Sequence, residues 1–319
     1  MKSDRLLYPD ICKFVGIFVV TWSHCAQCIS GMTWTNLWGG GQFDTAFTMP
    51  LFMLMSGWFI NPEKMRNSQI KIYIYSKFKR LIIPSFVWFF VLLILSFNLP
   101  DLSIFTYYWY LNALFVCLCV IMICTKIIKS DLICCAVSTS LILLIPYSDF
   151  SHVNFMIPFL WAGYGLRKIC STKYALQMII LFSIIGLCLC PIWSPEYSVY
   201  LSPFNSLHFD CKMAQIMLYR FVIGFTLSAV IIYSIMKMER AWISKLSKLG
   251  TYSLIIYTSS LACLAFFSNI FYYLHIHTNR YGLVDILSLI LCLFIFYVTI
   301  RFADYCKRKR LLRLLFLGE

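Results

Sequence analysis

A chain of 319 residues that is 61% hydrophobic, 18% aromatic and only 13% charged, with a mean hydropathy of +0.79, falls outside the range of soluble globular proteins. Its net charge of +14 would suit nucleic acid, but the basic residues cluster between long apolar runs, which excludes that reading in favour of a polytopic membrane protein. Fifteen cysteines lie almost entirely inside those runs, where a free thiol packs as a small hydrophobe, so a disulfide scaffold is excluded too.

Apolar runs of membrane-spanning or nearly spanning length fall at about 7 to 29, 45 to 60, 81 to 99, 104 to 125, 131 to 147, 153 to 166, 175 to 193, 214 to 236, 250 to 274 and 283 to 305. The pattern predicts an all-α, polytopic integral membrane protein of about ten transmembrane helices, forming a single membrane-embedded domain over residues 1–319. The second and sixth runs are short and contain Pro50 and Pro158, so they are expected to tilt, break or re-enter. The first run carries internal charges and lacks a small-x-small cleavage site, which argues against a cleavable signal.

The first run holds the oddest pattern: Asp10, Lys13 and His24 sit in an otherwise apolar stretch from Tyr8 to His24. Eleven residues at about 100° each bring His24 to within roughly 20° of Lys13, so both project from one face. Asp10 lies one turn before Lys13 on that face. Ionisable groups in a membrane-length helix point to a functional site, with His24 as a general base. The competing account is a snorkelling lysine paired with Asp10 and a histidine satisfied inside the bundle. Cys25 and Cys28 form a CxxC pair at helical spacing, read as packing.

In the second run, Ser56-Gly57 is read first as a close helix-packing step, with a nucleophilic serine as the alternative. The cluster Lys77, Lys79 and Arg80 enters the third run and ends at Pro84. It anchors topology, or else binds the phosphates of a nucleotide-bearing donor. Farther along come the aromatics Trp34, Trp38, Tyr107, Tyr108, Trp109, Tyr110, Tyr197 and Tyr200. They form an interfacial belt or stack on sugar rings, with Asn112 as a polar handle beside Trp109. Arg220, several residues inside the eighth run, requires a partner.

Loop charge sets orientation. Twenty-two of the 27 basic residues fall on one side, which predicts that both termini are cytoplasmic and that the chain meets anionic membrane lipid.

Five stretches together resemble the acyltransferase-3 family, especially its bacterial glycan O-acetyltransferases and fucose 4-O-acetylase-like branch. Asp10, Lys13 and His24 match the family's opening pattern. Phe52 to Gly57 is similar to its F-F-x-x-S-G segment, with Met53 at the second aromatic. Lys77 to Pro84 resembles its basic run ending in proline, and Trp109-Tyr110-Leu111 its W-F-L element. Gly250 to Tyr257 is similar to its late G-x-x-S-L-x-I-Y segment. Ser260 stands where many members carry histidine.

The resemblance implies an enzyme of the bacterial cytoplasmic (inner) membrane. It would move an acyl group, most often acetyl, from acetyl-CoA to a sugar hydroxyl of lipopolysaccharide, capsule or another surface glycan. It assigns His24, Lys13 and Asp10 to catalysis, and Lys77, Lys79, Arg80 and Ser56 to the donor. Trp109, Asn112 and Arg220 are assigned to the acceptor glycan or lipid-linked saccharide. No metal and no nucleic acid are expected, and homo-oligomerisation stays open. A transporter or flippase of lipid-linked saccharide is the alternative.

Overall fold

The computed structural model describes residues 7–31, 44–95, 107–144, 152–194, 197, 204–205, 208–238, 240–274, 278 and 281–319. Trp34, Trp38 and Tyr200 of the aromatic set lie outside the described residues. The protein is helical, with one two-residue antiparallel pair joining Phe204–Asn205 to His208–Phe209. A chain whose outer surface is apolar must satisfy its backbone internally, and helices do so within each segment.

Helix α1 spans Tyr8–Ser30. It opens with Pro9 in its first turn and ends where Gly31, in the left-handed region at φ 67°, turns its N–H back to the Gln27 carbonyl. That is the glycine-terminated helix end expected where a side chain would clash. A 3₁₀ turn at Asp44–Ala46 leads into α2, Thr48–Trp58. Next come α3, Pro62–Asn67, and α4, Ile70–Lys77. A π-helical turn at Phe78–Ile82 runs α4 into α5, Ile83–Leu95. After these lie α6 (Trp109–Ile127), α7 (Asp131–Leu143), α8 (Val153–Cys170) and α9 (Ala175–Leu189). The final group is α10 (Cys211–Lys237), α11 (Arg240–Gly250), α12 (Ser253–Tyr273), α13 (Tyr281–Lys307) and α14 (Arg310–Leu312), which continues as a π-helical turn over Arg313–Leu317.

Among the described residues every one of the ten apolar runs is helical, and seven helices there are long and apolar enough to cross a membrane. The remaining three differ in length or polarity. Helix α2 has 11 residues and α7 has 13, or about 16 and 20 Å at 1.5 Å per residue, short of a hydrocarbon core of about 30 Å. Helix α8 has 18 residues but carries Asn154, Arg167 and Lys168. Seven spans is thus the number that length and composition support, against the ten expected.

The short α2 is an interior element: ten of its eleven residues are buried. It lies directly on α8, with Gly57 against the Leu160 backbone and Gly163 against the Leu54 backbone. Small residues at such crossings let two backbones approach closely enough for dispersion contacts to hold them. Helix α1 occupies the centre, packed against α2, α10, α11, α12 and α13. All fifteen cysteines are free thiols.

Candidate functional site

A cavity of about 470 Å³ opens between α1, α2, α4, α6 and α12. Four cationic side chains converge on it: Lys13 from α1, Lys64 from α3, Lys77 from α4 and Arg80 from the π-helical turn. Asn61, Ser68, Tyr73 and Ser56 add hydrogen-bonding groups, and among the described residues no carboxylate lines the wall. Four cations beside hydroxyl and amide donors favour a multiply charged anion.

Helix periodicity explains which members of the basic cluster contribute. Lys77 and Arg80 are three residues apart and share a helix face, and both line the cavity; Lys79 does not. The π-helical turn Phe78–Ile82 holds Lys79 and Arg80, and such widened turns are frequent at functional sites. The ammonium of Lys77 sits 5.3 Å from the centre of the Tyr73 ring, an arrangement that holds a cation without neutralising it.

Lys13 is held more firmly. Its ammonium lies 3.5 Å from Asp10 Oδ1, with Asp10 buried and Lys13 31% exposed, and 5.9 Å from the Phe59 ring centre. Asp10 is fixed in turn by Gly250, which rests against the Asp10 backbone carbonyl with no room for a side chain. Asp10 therefore supports the site through Lys13 and does not line the cavity.

Another part of the wall is aromatic. Phe52, Tyr110 and Tyr257 all line the cavity. Their rings touch in sequence, Phe52 to Tyr110 at 5.6 Å and Tyr110 to Tyr257 at 5.7 Å between centres. Ser56 is hydrogen-bonded to Tyr110, so this serine is tied to a phenol.

His24 lies outside the cavity. Eleven residues of helix place it about 16 Å from Lys13. Its Nδ1 is 3.0 Å from Gln27 Oε1. With that oxygen accepting, Nδ1 carries the proton and Nε2 the lone pair, the tautomer that a general base requires.

The three expected acceptor residues also lie away from the cavity. Trp109 packs edge-on against His152, with ring centres 4.8 Å apart, and Asn112 is buried on α6. Arg220 is 1% exposed. Its Nη2 donates to the Thr45 carbonyl at 2.9 Å, and its guanidinium lies 5.0 Å from the Phe155 ring centre and 5.7 Å from that of Trp193. Ser228 likewise donates to the Phe47 carbonyl at 3.1 Å, so α10 clamps the turn before α2. Ser260 donates to the Tyr257 carbonyl at 3.1 Å.

Two parts of this arrangement carry no motif in the sequence: Lys64, one of the loop charges, and Asp44, which feels the field of Arg220 and is hydrogen-bonded to Ser23. A lone carboxylate at the lip of an apolar run, in a chain with only 13 acidic residues, was the available signal.

A family profile described as an acyltransferase domain, that of the acyltransferase-3 family, matches residues 6–302. No curated protein and no solved structure matches the chain.

Proposed function

Because the chain belongs to the acyltransferase-3 family and is a multi-pass membrane protein by its apolar helices, we propose that it transfers an acyl group, acetyl by preference, from acyl-CoA to a sugar hydroxyl of a cell-surface glycan. The observation that carries this reading is the convergence of Lys13, Lys64, Lys77 and Arg80 on one cavity without a lining carboxylate. Coenzyme A brings three phosphate groups, and clustered cations with hydroxyl and amide donors suit them. Loop charge favours a cytoplasmic side for this mouth and both termini, and in a bacterial inner membrane that side faces the cytoplasmic acyl-CoA.

In this mechanism the donor phosphates bind Lys64, Lys77 and Arg80, and the acyl thioester extends inward past Lys13. His24 faces the acceptor. Its Nε2 takes the hydroxyl proton as the sugar oxygen attacks the thioester carbonyl. The tetrahedral intermediate collapses with cleavage of the carbon–sulfur bond, and the departing thiolate recovers the proton as free CoA. Lys13, steadied by Asp10, binds the anionic donor. Trp109 and Asn112 serve the acceptor, while Arg220 orders the turn at their side of the bundle.

The test is acetyl transfer by the purified full-length protein, with glycan from the producing cells as acceptor. Transfer that disappears in His24→Ala, and CoA binding weakened at least tenfold in the Lys77→Ala/Arg80→Ala variant, support the enzyme. Unchanged surface-glycan acetylation in cells carrying only His24→Ala refutes the catalytic assignment. Saccharide movement without acyl transfer would favour the flippase.

A further inference from the structure

We propose that Phe52, seated on Gly16 and backed by Tyr110 and Tyr257, is the end stop that sets the size of the acyl group transferred. The inference rests on the acyl-donor reading above and specifies which donors the site accepts.

Gly16 lies one turn past Lys13 in the direction of His24. A Cβ there would come within 2.8 Å of Phe52 Cε2, so the Phe52 ring lies against bare α1 backbone. This is the position a straight path from Lys13 to His24 would cross. The eight residues from Gly16 to His24 add about 12 Å. Phe52 touches Tyr110, and Tyr110 touches Tyr257. All three are buried, and each faces the cavity.

The three rings belong to three different helices, α2, α6 and α12, and Phe52 lies on the fourth, α1.

A donor whose phosphates are held by Lys64, Lys77 and Arg80 directs its thioester at this wall. The acyl group leads the thioester into the cavity, so the acyl chain has to fit between the thioester and the rings. A two-carbon group needs little space there. Each further methylene presses on aromatic carbon that is packed against a glycine and two tyrosines. A misfitted methylene in an apolar pocket costs about 10- to 200-fold in discrimination.

Gly16 belongs to the same device. It gives the Phe52 ring its seat, and a side chain at 16 drives the ring into the cavity. The residue at 52 and the residue at 16 therefore control one dimension from opposite sides.

The experiment measures competition by acetyl-, butyryl- and hexanoyl-CoA against labelled CoA, on the purified full-length protein in lipid nanodiscs. Free CoA, which has no acyl chain, is the reference for each variant. The wild-type protein is expected to bind acetyl-CoA at least tenfold more tightly than hexanoyl-CoA. Phe52→Ala is expected to collapse that ratio to threefold or less. Gly16→Ala is expected to weaken acetyl-CoA relative to free CoA at least fivefold. Tyr257→Leu is a second enlarging variant, expected to shift the ratio in the same direction as Phe52→Ala. A wild-type ratio retained in both enlarging variants, with labelled CoA still bound, overturns the end stop while leaving the donor reading standing. A wild-type protein that binds no labelled CoA overturns the donor reading itself.

Discussion

Gly250 is pressed against the backbone carbonyl of Asp10, leaving no space for even a methyl group. The contact joins the end of α11 to the first turn of α1, three residues before Lys13 enters the cavity. A methyl at 250 must push that turn aside, and overpacking of this kind costs about 1–3 kcal/mol. Gly250→Ala is thus expected to lower thermal stability and to raise KM for the acyl donor several-fold more than it lowers kcat. Gly165, where an added Cβ meets nothing within 4 Å, supplies the control: Gly165→Ala should leave both unchanged. Equal effects of the two substitutions would remove Gly250 from the support of Lys13.

The Asp10–Lys13 pair makes an asymmetric prediction. Asp10 is buried and Lys13 is about one-third exposed, so deleting the lysine removes the cation beside a buried carboxylate, whereas deleting both removes the buried charge as well. Breaking a buried pair from one side costs about 3–5 kcal/mol, and replacing both partners costs far less. Lys13→Met is expected to destabilise the protein more than the Asp10→Asn/Lys13→Met double variant does. Neither variant should transfer acyl groups. The check is a double-mutant cycle in thermal stability, and additive losses would show that the two side chains do not support each other.

The sequence made α1 legible because charge is so costly in a membrane-length helix. Asp10 and Lys13 do pair, and α1 does lie at the centre of the bundle. Loop charge and hydropathy placed all ten helical runs. They overstated how many span, since α2 is apolar because it is buried in protein. The basic cluster was readable as a group, but the absence of Lys79 from the cavity follows from its direction on the helix, which a list of charges does not carry. The partners of Arg220 were out of reach for a different reason: they are a backbone carbonyl and a turn carboxylate brought across 175 residues, a long-range contact with no local pattern. The same holds for Gly16 and Phe52, whose relation depends on the crossing of two helices.

A third prediction concerns Gly318. It adopts φ 69°, a left-handed conformation, and a Cβ there would lie 2.6 Å from the Arg80 carbonyl oxygen. The π-helical turn Arg313–Leu317 packs Phe316 against Trp88 of α5, with ring centres 5.4 Å apart. The segment therefore buttresses the turn that presents Arg80. Gly318→Val combines backbone strain with a clash and should weaken CoA binding about three- to tenfold. Because the segment makes no contact with the acyl group, the ratio of acetyl-CoA to free CoA affinity should stay at its wild-type value. A changed ratio would place its effect somewhere other than Arg80.

The last prediction is a pH dependence. Burial pushes the Asp44 carboxyl up to about 7, against the opposing pull of a Ser23 hydrogen bond, the Thr45 backbone N–H and the Arg220 charge. An ordinary carboxyl titrates near 4. From about pH 4 to about pH 7 the folded protein therefore holds a proton that the unfolded chain has released, and stability falls with rising pH across that window. The contribution is complete below pH 4 and lost once pH passes 7. Asp44→Asn keeps a neutral, hydrogen-bonding side chain and removes the titration. Thermal unfolding of both proteins in one detergent from pH 5.5 to 8.5 should give a flatter profile for the variant, with the two separating as pH rises and Asp44→Asn the more stable at the alkaline end. Parallel profiles would mean that Asp44 is ionised in the folded protein throughout that range, and that its charge is fully balanced by Arg220.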